Sequence, residues 1–324
     1  MRAAWYETNG SARDVLRIGM IETPEPAPGE VRVRIVASGV NPSDVKSRAG
    51  RPLAGPQVIP HSDGAGIIDA VGDGVSQDRV GERVWIWNGQ WKRPFGTAAE
   101  YIVLPAEQAV RLPDATGFEA GACLGIPALT ALRALTVDGD VAGRTVLVSG
   151  GAGAVGAYAI QFGRLLGAGR IITTVSTPEK AAIARALGAH DTLFYREEDV
   201  AARVREITGG AGVDRVVEVD GAANAAMLPS IIARDGLAVI YGSGKPQVPF
   251  DFGPMINIGA AVRFFIVYEL VPMERKRLVA SLNAYLEAGL LVHHVARDYP
   301  LERIAEAHEA VESGAVTGNI ILRP

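Results

Sequence analysis

The stretch that decides the fold is TVLVSGGAGAVG, residues 145–156 of the chain. Its first half is a short apolar, β-branched run, which predicts a buried strand. Three glycines then follow in the spacing G-x-G-x-x-G, at Gly151, Gly153 and Gly156, and an apolar segment over residues 155–166 predicts a helix. A strand, a glycine turn and a helix in this order predict a loop that binds the pyrophosphate of a dinucleotide.

The three glycines have different tasks in such a loop. The first permits a tight turn, the second lets the backbone approach the pyrophosphate, and the third lets the helix pack on the strand. The first N–H groups of the helix face the anion. The cofactor-binding residues predicted in the loop are Gly151, Ala152, Gly153, Ala154, Val155 and Gly156.

The end of the next predicted strand, residues 170–175, indicates which dinucleotide is bound. NAD-binding loops usually carry an acidic residue there, which holds the ribose hydroxyls. Here the strand runs into Ser176 and Thr177, and no carboxylate is present to repel a 2′-phosphate. Lys180 lies in the first turn of the following helix, where an anion would offset its unfavourable position. We therefore predict NADPH, with Lys180 and Tyr195 at the 2′-phosphate; the alternative is that Lys180 is a solvent-facing lysine.

The rest of the chain divides into two patterns around this motif. Roughly the first 115 residues are rich in short strands bounded by Pro and Gly, such as the alternating residues 31–36, which predicts a barrel or sandwich. From about residue 116, strands alternate with helices. Repeated β-α-β units predict a parallel sheet with helices on both faces.

Composition limits the classes of function. The 324 residues are 48% hydrophobic with a formal net charge of −4, so no basic excess indicates a nucleic-acid partner. Cys123 is the one cysteine, which excludes an intramolecular disulfide and a cysteine-rich zinc site, and we expect it to be a small buried residue in a helix. No stretch has the length and apolarity of a membrane span, and the first residues do not resemble a secretory signal. We expect a cytoplasmic protein.

Several further segments resemble the zinc-independent quinone oxidoreductases, the zeta-crystallin-like family of the medium-chain dehydrogenase/reductase superfamily. They are ASGVNPSD at 37–44, IPHSDGAG at 59–66, GIPALTALRAL at 125–135, LGAH at 187–190, YGS at 241–243 and VTGN at 316–319. The resemblance spans essentially the whole chain. It implies an α/β protein with a GroES-like β-barrel catalytic domain and a Rossmann domain with a doubly wound parallel sheet. The implied parts are a catalytic segment 1–122, a Rossmann NADPH-binding domain 123–262, and a return segment 263–324 that completes the Rossmann sheet edge and the catalytic domain.

The resemblance also bears on metal binding. Zinc-dependent relatives hold zinc with Cys, His and Cys, and the matching positions here are Asn41, Ser62 and the neighbourhood of Ile126. None of these is a suitable zinc ligand, so we expect no metal. His61 stands at the family's glycine position, next to the second ligand position.

Catalytic roles follow from the same resemblance. Asn41 and Thr130 would contact the nicotinamide or the acceptor, although Asn41 could be only a turn residue and Thr130 only a helix hydroxyl bonded one turn back. Asp44 would orient its neighbours or cap a helix, and His61 would donate a proton or line the pocket. Further implied cofactor contacts are Ser176, Gly242, Ser243, Phe264, Phe265, Ile266 and Asn319, of which the two phenylalanines could instead be core residues.

The implied activity is NADPH-dependent hydride transfer to a quinone. An enoyl or alkenal reductase remains an alternative, and its thioester phosphates could meet a basic patch formed by Lys46, Arg48, Arg51, Lys92 and Arg93. A non-catalytic NADPH- or RNA-binding protein is an alternative of another class. The tryptophans Trp85, Trp87 and Trp91 could wall an acceptor site or belong to the core. The resemblance implies a homodimer, joined through an apolar strand at residues 262–270.

Overall fold

The computed structural model describes every residue from Met1 to Pro324. The chain forms two compact units, one made of Met1–Pro127 with Ala280–Pro324 and the other of Ala128–Val279. The domain boundaries that we expect after residues 122 and 262 remain predictions. None of the helices has both the length and the apolar sequence that crossing a membrane requires.

The strands are β1 (Arg2–Trp5), β2 (Arg17–Met20), β3 (Glu30–Val40), β4 (Asp63–Val71), β5 (Arg83–Ile86), β6 (Tyr101–Pro105), β7 (Ala109–Arg111), β8 (Thr145–Val148), β9 (Arg170–Val175), β10 (Asp191–Phe194), β11 (Val213–Glu218), β12 (Ile232–Ile240), β13 (Ala261–Phe264), β14 (Val295–Pro300) and β15 (Asn319–Arg323). The α-helices are α1 (Ala12–Val15), α2 (Pro42–Gly50), α3 (Phe118–Gly121), α4 (Leu129–Thr136), α5 (Ala154–Leu165), α6 (Pro178–Leu187), α7 (Val200–Ile207), α8 (Gly221–Asn224), α9 (Leu228–Ile231), α10 (Phe252–Ile258), α11 (Pro272–Glu287) and α12 (Ile304–Glu312). A π-helical segment, Leu124–Ala128, leads into α4.

The unit Ala128–Val279 contains a six-stranded parallel sheet in the order β10-β9-β8-β11-β12-β13. Two series of β-α units start at its centre and wind in opposite directions, as in a dinucleotide-binding sheet. The chain order reverses between β8 and β11, where the loops that follow the two strands diverge and leave a crevice for a ligand. The predicted doubly wound sheet is confirmed, and β8 runs directly into the glycine loop.

The strand expected over residues 262–270 is shorter than predicted. β13 ends at Phe264, and Val267 and Tyr268 turn inward as buried residues of a short 3-10 helix, Val267–Glu269. An apolar run has the same composition in a strand and in a buried turn, so its pattern could not separate the two. Cys123 is buried as expected, but it lies in a turn between α3 and the π-helical segment rather than in a helix.

The other unit is organised around β3. The first half of this strand pairs with β6 and β4, and its last residues pair with β15 and β4. Because a strand has two edges, β6 and β15 share the edge that β4 leaves free. The alternation predicted for residues 31–36 is confirmed, since Val31, Val33 and Ile35 are buried against Ile68 and Ile102. The end of the chain thus returns to the unit in which it began, and Asn41 directly follows the end of β3.

Candidate active site

The glycine loop begins where β8 ends and is held by the neighbouring strand β9. The Gly150 N–H donates to Thr174 Oγ1 at 3.0 Å, and the Gly151 N–H donates to the Thr174 carbonyl at 3.2 Å. Gly150 has a φ of 70°, the left-handed conformation that favours glycine. The turn therefore leaves the sheet at an angle that directs the backbone of Gly153 to the start of α5.

The space around the motif glycines explains why each position is a glycine. A Cβ on Gly151 would lie 2.1 Å from Thr173 Oγ1, and one on Gly156 would lie 2.2 Å from the Gly150 carbonyl oxygen. Gly153 is different, because its Cβ would meet only that same oxygen, at 3.2 Å. Gly151 and Gly156 thus serve close internal packing, whereas Gly153 keeps an outward surface of the loop bare. This is the cradle that a pyrophosphate requires.

The start of α5 completes this cradle. Gly153 is the N-cap residue and has no side chain to accept a hydrogen bond from the first turn. The N–H groups at that end of the helix are therefore left for another acceptor, and the helix dipole favours an anion there. The loop fits a dinucleotide phosphate in shape and in charge.

The ends of β9 and β10 bring together the residues predicted for the adenosine end of the cofactor. Thr177 caps α6, since its Oγ1 accepts the Lys180 N–H at 3.3 Å, which places Lys180 in the first turn. The Tyr195 N–H donates to the Val175 carbonyl at 3.2 Å, so Tyr195 lies beside Ser176 at the same edge of the sheet. Ser176 and Lys180 are half-buried, and Tyr195 is exposed.

Arg196 is a residue at this edge that the sequence analysis missed. Its guanidinium carbon lies 5.7 Å from the centre of the Tyr195 ring, and its side chain is exposed. The adjacent letters Tyr-Arg directly after a strand end were the available signal. With Lys180, it is a second cation among the residues that follow the carboxyl ends of β9 and β10.

Glu218, at the end of β11, is a second missed residue. It is fully buried and accepts hydrogen bonds from Ser149 Oγ at 2.6 Å, from the Asp220 N–H at 2.6 Å and from Asn224 Nδ2 at 2.9 Å. Three donors replace the water that a buried carboxylate loses. Because Ser149 precedes the glycine loop, Glu218 joins the ends of the two strands that flank the crevice.

Asp220 positions the loop after β12. It accepts the Gly244 N–H at 2.8 Å and caps α8, and this contact holds the turn that contains Gly242 and Ser243. The Ser243 hydroxyl donates within the same turn, to the Lys245 carbonyl at 2.6 Å. Gly242 and Ser243 therefore lie at the carboxyl edge of the sheet, as the glycine loop does.

The segment after β13 is partly exposed. Phe264 and Ile266 are 54% and 40% exposed, and the Phe265 N–H donates to the Ile240 carbonyl at 3.4 Å. Phe264 is thus not a core residue. Thr130, near the start of α4, is buried, and its hydroxyl has no hydrogen-bond partner in the chain, so the carbonyl one turn back does not satisfy it.

The predicted catalytic residues of the barrel unit gather where β3 ends. The Asn41 N–H donates to Asp44 Oδ2 at 2.8 Å, and Asp44 closes a capping box at the start of α2. The Asn41 side-chain amide donates to Asp63 Oδ2 at 3.0 Å, and the Ile126 N–H donates to the same oxygen at 3.0 Å. Asp63, which the sequence analysis did not single out, therefore binds Asn41 and Ile126 together.

Asp63 and Asp44 are buried carboxyl groups, and burial favours their neutral forms. Burial raises the pKa of Asp44 to about 7, against the opposing effect of the N–H groups of Asn41 and Ser62. Burial and the nearby Asp44 raise the pKa of Asp63 well above its usual range. The other oxygen of Asp63, Oδ1, is buried and has no hydrogen-bond partner in the chain.

His61 and Asn319 are committed to internal contacts. His61 is fully buried, and its two ring nitrogens lie 2.8 Å from Ser38 Oγ and 2.9 Å from His308 Nε2. Asn319, at the start of β15, donates to the His294 carbonyl through both its backbone N–H and its side-chain amide. Trp85 is likewise a core residue, with its indole N–H bonded to Asn283.

Known proteins share this arrangement. Residues 27–114 match the alcohol dehydrogenase GroES-like domain, and residues 154–284 match the zinc-binding dehydrogenase family. Human quinone oxidoreductase is 32% identical over 93% of this chain and 91% of its own length. The chain belongs to the quinone oxidoreductase family. The predicted combination of a GroES-like barrel with a Rossmann domain is therefore confirmed.

Other members and neighbours of the quinone oxidoreductase family widen the comparison. A 2-haloacrylate reductase from a Burkholderia species is 32% identical over 94% of this chain and 93% of its own length. The Escherichia coli quinone oxidoreductase, solved in complex with NADPH, has a TM-score of 0.90 and is 28% identical over the whole of both chains. Two kinds of reductase therefore share this fold at comparable similarity.

The backbone at His61 agrees with the glycine that the family resemblance implies at this position. His61 has a φ of 78°, in the left-handed region that costs a non-glycine residue energy. The backbone is therefore strained at His61, immediately before Ser62 and Asp63.

We expect Asp44→Asn to change how stability depends on pH. Because the folded-state pKa is about 7, against an ordinary value of 3.8, the neutral carboxyl stabilises the fold at low pH, and this contribution is lost as pH rises through 7. The variant keeps the hydrogen-bond acceptor but cannot ionise. Its free energy of unfolding relative to the parent should rise by about 4 kcal/mol between acid and neutral pH. Urea denaturation across that range measures it, and a difference that does not vary with pH would contradict the assignment.

Proposed function

We propose that this chain transfers hydride from NADPH to a quinone without a metal ion. One observation carries the proposal: the edge formed by β9 and β10 presents Ser176, Lys180, Tyr195 and Arg196, and the two residues directly after β9 are Ser176 and Thr177 rather than a carboxylate. A carboxylate there would select the ribose hydroxyls of NADH, whereas two cations favour a 2′-phosphate. The NADPH complex of the Escherichia coli relative supports this choice.

The proposed cofactor contacts follow the carboxyl ends of the parallel strands. The loop Gly151 to Gly156 binds the pyrophosphate, and Gly242, Ser243, Phe264, Phe265, Ile266 and Asn319 are the further contacts carried over from the family. When bound, NADPH supplies a hydride at its nicotinamide ring. The free hydroxyl of Thr130 and the amide of Asn41 are the groups proposed to orient the ring or the acceptor.

The residues at the family's zinc positions do not fit that metal. Asn41 uses its amide to bind Asp63, Ile126 offers only a backbone N–H, and Ser62 has a hydroxyl. Zinc sites use thiolate, imidazole or carboxylate ligands. Without a Lewis acid, the acceptor must be electron-poor already, as a quinone is. In this proposal Asp44 and Asp63 position Asn41 rather than bind metal.

Reduction of an activated C=C bond is the second candidate, favoured by the similarity to the 2-haloacrylate reductase. Within this second candidate, an enoyl thioester that carries phosphates has less support as the acceptor. Of the basic residues considered for its phosphates, Arg48 is buried and bonded to His308, and Arg93 donates to the Gly89 carbonyl. A small enal or acrylate is the better form of this candidate.

The experiment is NADPH oxidation by chelator-treated protein with a panel of quinones, enals, acrylates and enoyl thioesters. Turnover with quinones that survives the chelator supports the proposal. Turnover only with enals or acrylates would replace the acceptor class and keep the hydride chemistry. NADPH binding without turnover on any acceptor would favour the non-catalytic class.

We also propose a homodimer joined at β13, which is the edge of the six-stranded sheet and carries the exposed Phe264. An exposed apolar edge strand pairs readily with a second copy. We expect Phe264→Lys to shift the protein from dimer to monomer in sedimentation equilibrium. Met20→Lys, at an exposed position of β2, is the control and should not. A parent protein that is monomeric would refute the proposal. The cytoplasmic location remains a prediction.

A further inference from the structure

A line of hydrogen bonds crosses the interior of the barrel unit, and the proposed hydride transfer does not use it. It joins Arg48 of α2 to His308 of α12, then His61, Ser38 of β3 and Thr97. All five side chains are fully buried. Buried polar groups are kept only where each has a partner, so the protons in this line must be ordered.

The first end of the line sets the direction of its hydrogen bonds. A guanidinium has only donors, and Arg48 Nε donates to His308 Nδ1 at 3.3 Å. His308 therefore carries its proton on Nε2 and donates it to His61 Nε2, 2.9 Å away. His61 in turn carries its proton on Nδ1 and donates it to Ser38 Oγ at 2.8 Å.

The second end gives the same direction independently. Thr97 Oγ1 lies 2.5 Å from the Asp63 carbonyl oxygen, which can only accept. The Thr97 proton is thus used there, and Ser38 must donate to Thr97 Oγ1 across 2.7 Å. The line therefore consists of five successive hydrogen bonds, each donated in the direction from Arg48 to the Asp63 carbonyl. The directions derived from the two ends agree.

This order keeps both imidazoles neutral. A second proton on His61 would place two N–H groups opposite each other across the 2.9 Å between His61 and His308, and a second proton on His308 would place an N–H against the Arg48 Nε–H. Burial lowers the pKa of His61 to about 3, and burial with the nearby charges of His61 and Arg48 lowers that of His308. A ring with both nitrogens engaged has no proton to give to a product.

The last acceptor of the line is next to the candidate active site. The Asp63 carbonyl accepts from Thr97, and the Asp63 carboxyl binds the Asn41 amide. Two residues before Asp63 the backbone is strained, because His61 has a φ of 78°. Such strain persists only where the surroundings determine the conformation, and the bonds to Ser38 and His308 do so here.

We propose that His308 and His61 are positioning residues, which act through Asp63 to fix the amide of Asn41 for the reaction. Arg48 anchors the line at its outer end, where it also bonds to Glu312 and to the Gly10 carbonyl. The inference rests on the proposed function for the role of Asn41, but the direction of the line does not depend on it.

The first test is the tautomer of each histidine in the whole protein, read by NMR with ¹⁵N-labelled histidine at neutral pH. We expect His308 to be protonated at Nε2 only and His61 at Nδ1 only. The reverse tautomers, or a charged ring at either position, would overturn the proposal. This readout does not require an active enzyme.

The second test compares two replacements of His308. In His308→Gln, the side-chain oxygen can accept from Arg48 and the amide can donate to His61, which preserves the direction. His308→Leu breaks the line and leaves Arg48 Nε and His61 Nε2 unpaired. We expect the leucine variant to lower kcat by roughly tenfold to a hundredfold, as misplaced catalytic groups do, and the glutamine variant to restore it. The KM for NADPH should stay unchanged in both.

Ile304→Ala is the matched control, since Ile304 is buried in the same helix α12 but is not part of the line. It should lower the melting temperature without the loss in kcat. Equal losses in the glutamine and leucine variants, or a loss in Ile304→Ala as large as in His308→Leu, would refute the positioning role. A parent protein that reduces no acceptor would refute the proposed function instead, and the tautomers would still decide the direction of the line.

Discussion

Gly156→Ala lowers the free energy of unfolding by about 3 kcal/mol and abolishes tight NADPH binding; this is the largest effect we expect from one methyl group. The added Cβ would lie 2.2 Å from the Gly150 carbonyl oxygen and 2.8 Å from Gly151 Cα. Both contacts are with backbone, which cannot move aside as a flexible side chain can. The turn that forms the pyrophosphate cradle must therefore shift.

The sign of the stability change in Gly156→Ala is informative, because helix propensity alone would predict the opposite sign. Gly156 lies inside α5, where alanine is intrinsically better than glycine by roughly 1 kcal/mol. Gly253→Ala, in α10 with nothing within 4 Å of its Cβ, is the matched control and should be neutral or stabilising. Thermal unfolding and NADPH titration of both variants measure the effect. A Gly156→Ala variant as stable as Gly253→Ala would contradict the close approach of α5 to the glycine turn.

Lys180→Ala should raise the KM for NADPH roughly tenfold to a hundredfold and leave that for NADH nearly unchanged. A hydrogen bond to a charged group contributes about 1.5–3 kcal/mol, and only NADPH has the 2′-phosphate that accepts it. The capping bond uses the Lys180 backbone N–H, so α6 should be unaffected. Steady-state kinetics with each cofactor measure the ratio.

Two control variants distinguish recognition of the 2′-phosphate by Lys180 from the general effect of losing a positive charge. Lys276→Ala removes an exposed lysine from α11 and should change neither constant. Ser176→Asp adds a carboxylate at the end of β9 and should favour NADH over NADPH, because it repels the phosphate and can hold the ribose hydroxyls. Equal changes for both cofactors in Lys180→Ala would refute the assignment and turn attention to Arg196.

Local sequence was sufficient for the features that depend on neighbours in the chain. The glycine loop and the place of Lys180 in the first turn of a helix each lie within a strand-turn-helix unit, whose geometry is set by adjacent residues. The parallel sheet with helices on both faces followed from repeated β-α-β units. The apolar run at 262–270 marks the limit of this reasoning, since composition alone could not show that the strand ends at Phe264.

The candidate catalytic groups were only partly predictable. Asn41 and Asp44 were found because both lie in the segment 37–44 that resembles the family. Asp63 lay within a quoted segment, yet its role depends on bonds to residues 22 and 63 positions away. Glu218 ends an apolar strand, and only its contact with Ser149, 69 residues earlier, gives it a function at the crevice.

The sequence by itself determined the dinucleotide loop, the absence of a carboxylate after β9 and the division into a β-rich part and a β-α part, because each is written in residues close along the chain. Tertiary structure decided how Asn41 is held and in which direction the buried line of hydrogen bonds runs. His61 and His308 are separated by 247 positions, and only folding brings their rings to 2.9 Å. Their protonation follows from a donor-only arginine at one end and an acceptor-only carbonyl at the other, partners that no local pattern specifies.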